Sequence, residues 1–327
     1  MLRTRKQKNS NSNFIANISK IYCIVGGLNQ AMQFFYATRT SEAEYNDYEN
    51  ITIGEFTVPF KDNLCIELSN PEYVPVLKDG IYHYGGSQMW FSDQNRYSKD
   101  YILHNYGCGT VATADLFLYL ALQKKSYRTE ITAPAINMED KIPFTEYTDY
   151  LRLINNKYTK TRRHLAVLGP AAASAINSYS KYYGLGLKAS WKRKLNYYDM
   201  YNLIEEMLLK DLPVILSIGP NTPNLWGKKG IPFYELREID YQEPKDNTEE
   251  KTQEISKPYY YKAVQQNICG HYVTVTALIK DEVTGRIMLC ISSWGKKYYI
   301  NYEEYWDYIE NIGGTLTSSM IYMKEND

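Results

Sequence analysis

Apolar positions in this chain change their period several times, and each change predicts an element. From residue 108 to 122, Val111, Ala114, Leu118 and Ala121 recur at helical spacing, with Leu116, Phe117 and Leu120 beside them. So wide an apolar face predicts a buried central helix. A second helix is predicted over 170–183, with Pro170 suited to its first turn and Gly184 following its end. A third spans 196–210, where Asn196 can cap, Asp199 stands three positions on, and Leu203, Ile204, Met207 and Leu208 form the stripe. Asp211-Leu212-Pro213 breaks that helix, and VILSIG reads as a buried strand.

Towards the end the period shortens to two. In HYVTVTALI, His271, Val273, Val275, Ala277 and Ile279 fall on one strand face. KDEVTGR turns the chain and IMLCISSW returns, which predicts an antiparallel hairpin. KYYINYEEYWDYIE reads as a short strand followed by a helix, and TLTSSMIYM as a closing strand. The first hundred residues read as short strands and turns, including the hairpin VPVLKDGIYHYGG around Lys-Asp-Gly and a strand in ITIGEFTVPF. Residues 221–262 are turn-rich, then charged and nearly free of apolar positions, which predicts a solvated, mobile insertion. The expected organisation is an N-terminal extension of unclear fold over 1–95, then a main domain over 96–327 carrying that insertion.

The start, MLRTRKQKNSNSN, is basic and polar and reads as disordered. Residues 14–35 carry many apolar positions, but the longest clean run, IYCIVGGL, is too short to span a bilayer. It also makes a poor secretory segment, so an ordinary element of the domain is the preferred reading and secretion a weakly supported alternative.

Composition narrows the function. Lys+Arg and Asp+Glu both total 37, so neither nucleic acid nor an anionic membrane is suggested as the main partner. The 33 tyrosines fit strands and half-buried surfaces. Five scattered cysteines without a CxxC pair favour neither a zinc ribbon nor a disulfide scaffold; a reducing, cytoplasmic compartment fits better. Cys269-x-His271 lacks a second ligand pair, and no phosphate-cradling glycine motif occurs, so no metal and no cofactor is expected.

The candidate chemistry begins at NYGCGTVATADLFLYLALQ. Cys108 lies between two glycines at the predicted start of the central helix. Unpaired N–H groups there favour a thiolate and offer donors to a developing oxyanion. A small buried structural cysteine is the competing reading, and the local context leaves the two level. Of His83, His104, His164 and His271, the last opens a strong strand at a rim where a groove can open, although a satisfied core histidine is its plainer reading. If the hairpin turns near Val283, the residues facing His271 fall near 292–295, in Ser292-Ser293-Trp294-Gly295.

Taken in order, these parts resemble the papain-like cysteine peptidases, and among them the C39-like peptidases. The resemblance runs through Cys108-Gly109, LLKDLPVILSIG, Gly270-His271-Tyr272-Val273, the return strand and YYINYEEYWDYI, and covers about residues 96 to 327. It implies an α+β fold with a central N-terminal helix packed on an antiparallel sheet. It implies a peptide or protein substrate cut through an acyl-enzyme, with Cys108 as nucleophile and His271 as its base, the two forming an ion pair. The family's His-orienting Asn or Asp aligns with Ser292. Its oxyanion glutamine falls at Ile102, so that role passes to Asn105, the nearest side-chain amide, with Gln88 and Gln94 as remoter candidates. Trp294 takes the part of the aromatic shield over the histidine's partner. The same fold used for acyl or amide transfer, and a catalytically inactive peptide-binding module, are the alternative readings.

Overall fold

The computed structural model describes residues 56–58, 63–137, 139–219, 230–238, 259–281, 285–313 and 318–325. The expectations for the basic start, for residues 14–35 and for the charged stretch 239–258 lie outside these residues.

Among the described residues, thirteen strands and six α-helices make a mixed α+β fold around a large antiparallel sheet. In chain order the strands are β1 (Phe56–Val58), β2 (Asn63–Glu67), β3 (Pro75–Lys78), β4 (Ile81–Tyr84), β5 (Ile142–Pro143), β6 (Leu187–Arg193), β7 (Val214–Ile218), β8 (Ile231–Glu238), β9 (Tyr259–Ile268), β10 (His271–Asp281), β11 (Ile287–Ser293), β12 (Lys296–Asn301) and β13 (Ser319–Glu325). The helices are α1 (Lys99–Tyr106), α2 (Cys108–Gln123), α3 (Phe144–Ile154), α4 (Gly169–Tyr183), α5 (Tyr197–Leu209) and α6 (Tyr302–Tyr308). The large sheet runs β1-β9-β8-β12-β11-β10-β7-β13-β6, with β2 also paired to β10, and β3, β4 and β5 form a small second sheet.

Helix α2 is the buried centre: every residue from Cys108 to Ala121 is buried, and the helix packs against β10. The predicted caps hold. Asn196 accepts from the Asp199 N–H at the start of α5, and Gly184 closes α4 at φ +64°. The abundant tyrosines do particular work inside. Their rings fill the core while their hydroxyls donate to main-chain carbonyls, Tyr150 to Ala114 (2.9 Å), Tyr305 to Ser217 (3.0 Å) and Tyr302 to Tyr197 (2.7 Å). No helix among the described residues is long and apolar enough to cross a membrane.

Three expectations need correction. Residues 63–95 are not a separate extension: β2 pairs with β10 from Glu67↔Ala277 to Asn63↔Asp281, and β1 pairs with β9. The stretch 221–262 is not all loop, because 231–238 and 259–262 belong to the paired strands β8 and β9. Phe233, fully buried, lies in this part. The third concerns β10. Its register against β11 shifts between Val275 and Ala277, so the alternation does not run through. Val273 and Val275 sit in the main core, whereas Ala277 and Ile279 join a second cluster with Met288, Cys290 and Tyr299.

Candidate active site

Helix α1 ends at Tyr106 and α2 begins at Cys108, with the single residue Gly107 serving both ends. Neither flanking glycine is in the left-handed region. Gly107 is needed for space, and Gly109 lies in a tight spot. A Cβ on Gly107 would stand 2.3 Å from the Leu103 carbonyl oxygen, and one on Gly109 3.2 Å from the Tyr272 ring and 3.3 Å from Val167. The helix start is fixed further by Thr110, whose hydroxyl bonds those of Thr159 (2.8 Å) and Thr161 (2.6 Å). Backbone N–H groups of Tyr272, Gly109 and Cys108 itself face the Cys108 sulfur.

Cys108, Gln88, Asp115, His271, Ser293 and Trp294 line one small, partly open pocket. The structure thus brings together the two residues whose pairing the sequence suggested, from positions 163 apart (108 and 271). His271 is buried, and the other three histidines do not line this pocket. Its Nε2 lies 2.8 Å from the Ser293 hydroxyl. Its ring stacks on Trp294 with centroids 4.5 Å apart and planes 23° apart, and Phe233 stands 5.7 Å from Trp294.

Trp294 and Gly295 are the two residues of the β11–β12 turn, at φ +50° and +75°. A two-residue hairpin needs positive φ here to follow the twist of the strands. Glycine adopts it freely; tryptophan does so at a cost of about 1 kcal/mol or more. The fold accepts that strain and gains an aromatic wall over His271.

Two assignments change. Ser292 does not orient His271; the neighbouring Ser293 does. Ser292 donates instead to the Tyr84 carbonyl at 2.8 Å. Both serines line the pocket, but their hydroxyls take different partners, so an error of one position exchanges their roles. Asn105 is not an oxyanion donor in this geometry, since its side chain bonds the Tyr101 carbonyl one turn back along α1 (2.8 Å) and does not line the pocket. Gln88 does line it. Its Nε2 donates to the His104 carbonyl (2.9 Å), which leaves one amide proton, and its Oε1 is buried without a partner.

Asp115 is a pocket residue that the sequence reading passed over. It lies two turns along α2 from Cys108 and is 1% exposed. Its carboxylate accepts from the Gly86 N–H (2.9 Å) and the Tyr147 hydroxyl (2.7 Å). Burial pushes its pKa up to about 7 against those two bonds. A lone acid inside an otherwise apolar helical run was the signal available.

Electrostatics also revise the expected ion pair. Burial pushes the Cys108 thiol up to about 11, outweighing the three N–H groups around the sulfur. Burial lowers His271 to about 3. Among the described residues no hydrogen bond joins the sulfur to the imidazole. The enclosed site therefore holds a neutral thiol beside a neutral imidazole, because two isolated charges would each lose their hydration.

Among the described residues no group of three or more His, Cys, Asp or Glu side chains is arranged to hold a metal ion. The comparisons add no relative: no protein-family model matches the chain, and neither a curated protein nor a solved structure matches it.

Proposed function

We propose that this chain is a cysteine hydrolase of papain-like, C39-like architecture that cleaves a peptide or amide bond through an acyl-enzyme. The observation that carries the reading is the shared pocket: a cysteine at the first turn of a buried helix, with a buried histidine held by a hydroxyl and an aromatic ring. If Nε2–H donates to Ser293, Nδ1 keeps its lone pair and takes the thiol proton as sulfur attacks the carbonyl carbon. The remaining Gln88 proton and the N–H groups at the start of α2 then donate to the oxyanion. His271 returns the proton to the leaving amine, and water releases the acyl group.

A non-catalytic peptide-binding module is favoured by one observation: among the described residues no hydrogen bond joins Cys108 to His271. Iodoacetamide labelling of Cys108, followed by mass spectrometry, separates the two. The hydrolase reading expects alkylation at Cys108 that slows at least tenfold in His271→Ala. Slow alkylation indifferent to His271 supports the binding module instead.

A further inference from the structure

We propose that Asp115 is a positioning residue for the Gln88 amide, acting through the main chain of Gly86. The inference rests on the hydrolase reading and asks what holds its oxyanion wall. That wall is the segment Tyr84–Gln88, which crosses the pocket between β4 and α1. Three main-chain anchors tie its first half: Tyr84 N–H to the Gly295 carbonyl (3.0 Å), the Tyr84 carbonyl to Ser292 (2.8 Å), and Gly85 N–H to the Val74 carbonyl (2.8 Å). The fourth is Gly86 N–H to Asp115 (2.9 Å), two residues from Gln88. Beyond it, Ser87 turns the chain by accepting from the Met89 N–H (3.1 Å), and Gln88 projects into the pocket.

The fit is close. A Cβ on Gly85 would lie 2.3 Å from the Ser292 hydroxyl and 2.8 Å from the Asp115 carboxylate, and one on Gly86 would overlap the Tyr147 hydroxyl at 1.6 Å. Two successive glycines thus let this strand of backbone lie directly on Asp115, Tyr147 and Ser292. A carboxylate at this depth is costly, and an amide or an apolar side chain would fill the space at lower cost. What the carboxylate adds is a charged acceptor, whose hydrogen bonds are roughly twice as strong as neutral ones. The titratable groups facing it are Tyr147 and Tyr150 from α3, Tyr73 from the segment before β3, Cys108 two turns back on α2, and His271 across the pocket; among the described residues no lysine or arginine lines the pocket.

The two bonds to Asp115 are strongest when it is ionised, and burial sets that change near neutrality. Protonation takes an acceptor away from Gly86 or Tyr147 and loosens the wall. The Gln88 contribution to catalysis therefore grows as pH rises through about 7, while His271, which is neutral throughout this range, stays constant.

The test uses two probes on the full chain. p-Nitrophenyl acetate acylates Cys108: sulfur bonds the carbonyl carbon, the thiol proton passes to His271, and the ester C–O bond breaks to release p-nitrophenolate. That step develops an oxyanion. Iodoacetamide alkylation of the same sulfur displaces iodide and develops none. Removing one oxyanion donor costs on the order of 100-fold, so Gln88→Ala is expected to lower acylation by about that factor. Asp115→Ala is expected to lower it at least tenfold, with alkylation within about twofold of wild type and no further loss in the double variant. Asp115→Asn keeps the shape, and is expected to retain most of the acylation rate while losing its rise near pH 7. Acylation and alkylation falling together would show general damage and overturn the proposal. So would an Asp115→Ala loss that multiplies with that of Gln88→Ala, or an unaltered pH profile in Asp115→Asn. If wild-type Cys108 is not acylated, and its alkylation ignores His271, the hydrolase reading itself fails and takes this one with it.

Discussion

Replacing Asp115 by Asn is expected to stabilise the protein near neutral pH and to leave it unchanged in acid. In the folded chain the carboxyl is held at about 7, against an ordinary 3.8. Below pH 3.8 both folded and unfolded chains bind the proton and nothing is at stake. Between 3.8 and about 7 the unfolded chain gives up its proton while the folded chain keeps it, so stability falls as pH rises. At about 1.4 kcal/mol per pH unit, the loss reaches at most about 4 kcal/mol by pH 7 and then levels off. Asn accepts from the Gly86 N–H and donates to the Tyr147 oxygen, so it keeps the shape without the charge. Urea unfolding followed by tryptophan fluorescence, at pH 5, 6, 7 and 8, measures the difference. The variant's advantage should grow by about 1.4 kcal/mol per unit up to pH 7 and be nearly flat from 7 to 8. An advantage that is constant across this range, or that grows as pH falls, would falsify the argument from burial.

Three further outcomes are expected. Gly86→Ala should lower stability by about 3 kcal/mol or more, from overpacking and a lost buried hydrogen bond, because the new methyl displaces the Tyr147 hydroxyl from Asp115; thermal melting reads this, and an unchanged melting point refutes it. Ser293→Ala should slow acylation of Cys108 at least tenfold by freeing the His271 ring, with p-nitrophenol release as the assay; a rate at the wild-type level would remove Ser293 from the site. The alkylation rate of Cys108 should climb steadily between pH 7 and 10, as expected for a thiol held at about 11; a plateau already reached at pH 7 would instead reveal a thiolate paired with imidazolium.

Elements governed by local pattern were legible in the chain. Helix α2, the caps of α4 and α5, and the hairpin of β10 and β11 follow from periodicity and turn residues, and they are enough to bring Cys108 and His271 to one pocket. What was not legible depends on register and on distant pairing. The bulge between Val275 and Ala277 shifts the strand by an amount that alternation cannot show; pairing pointed only to the neighbourhood 292–295, and the choice of Ser292 over Ser293 came from the resemblance. Gln88, named only as a remoter candidate amide, opens a short 3-10 turn 20 positions before Cys108, far outside any local spacing rule. The pairing of β2 with β10 joins residues more than 200 apart (Glu67 meets Ala277), so the early strands read only as an extension of unclear fold. The ion pair was expected from residue types, whereas the charge state follows from burial, which a sequence does not display.

The two serines before Trp294 have a mechanical consequence. Ser292 fastens the wall that bears Gln88, and Ser293 fastens the base, through bonds of 2.8 Å each. Both belong to the last two residues of β11, so amide wall and base are bolted to the same few ångströms of strand. They must travel as one rigid jaw. A slip of β11 by a single residue would disconnect both halves at once, whereas replacing either serine disconnects only one.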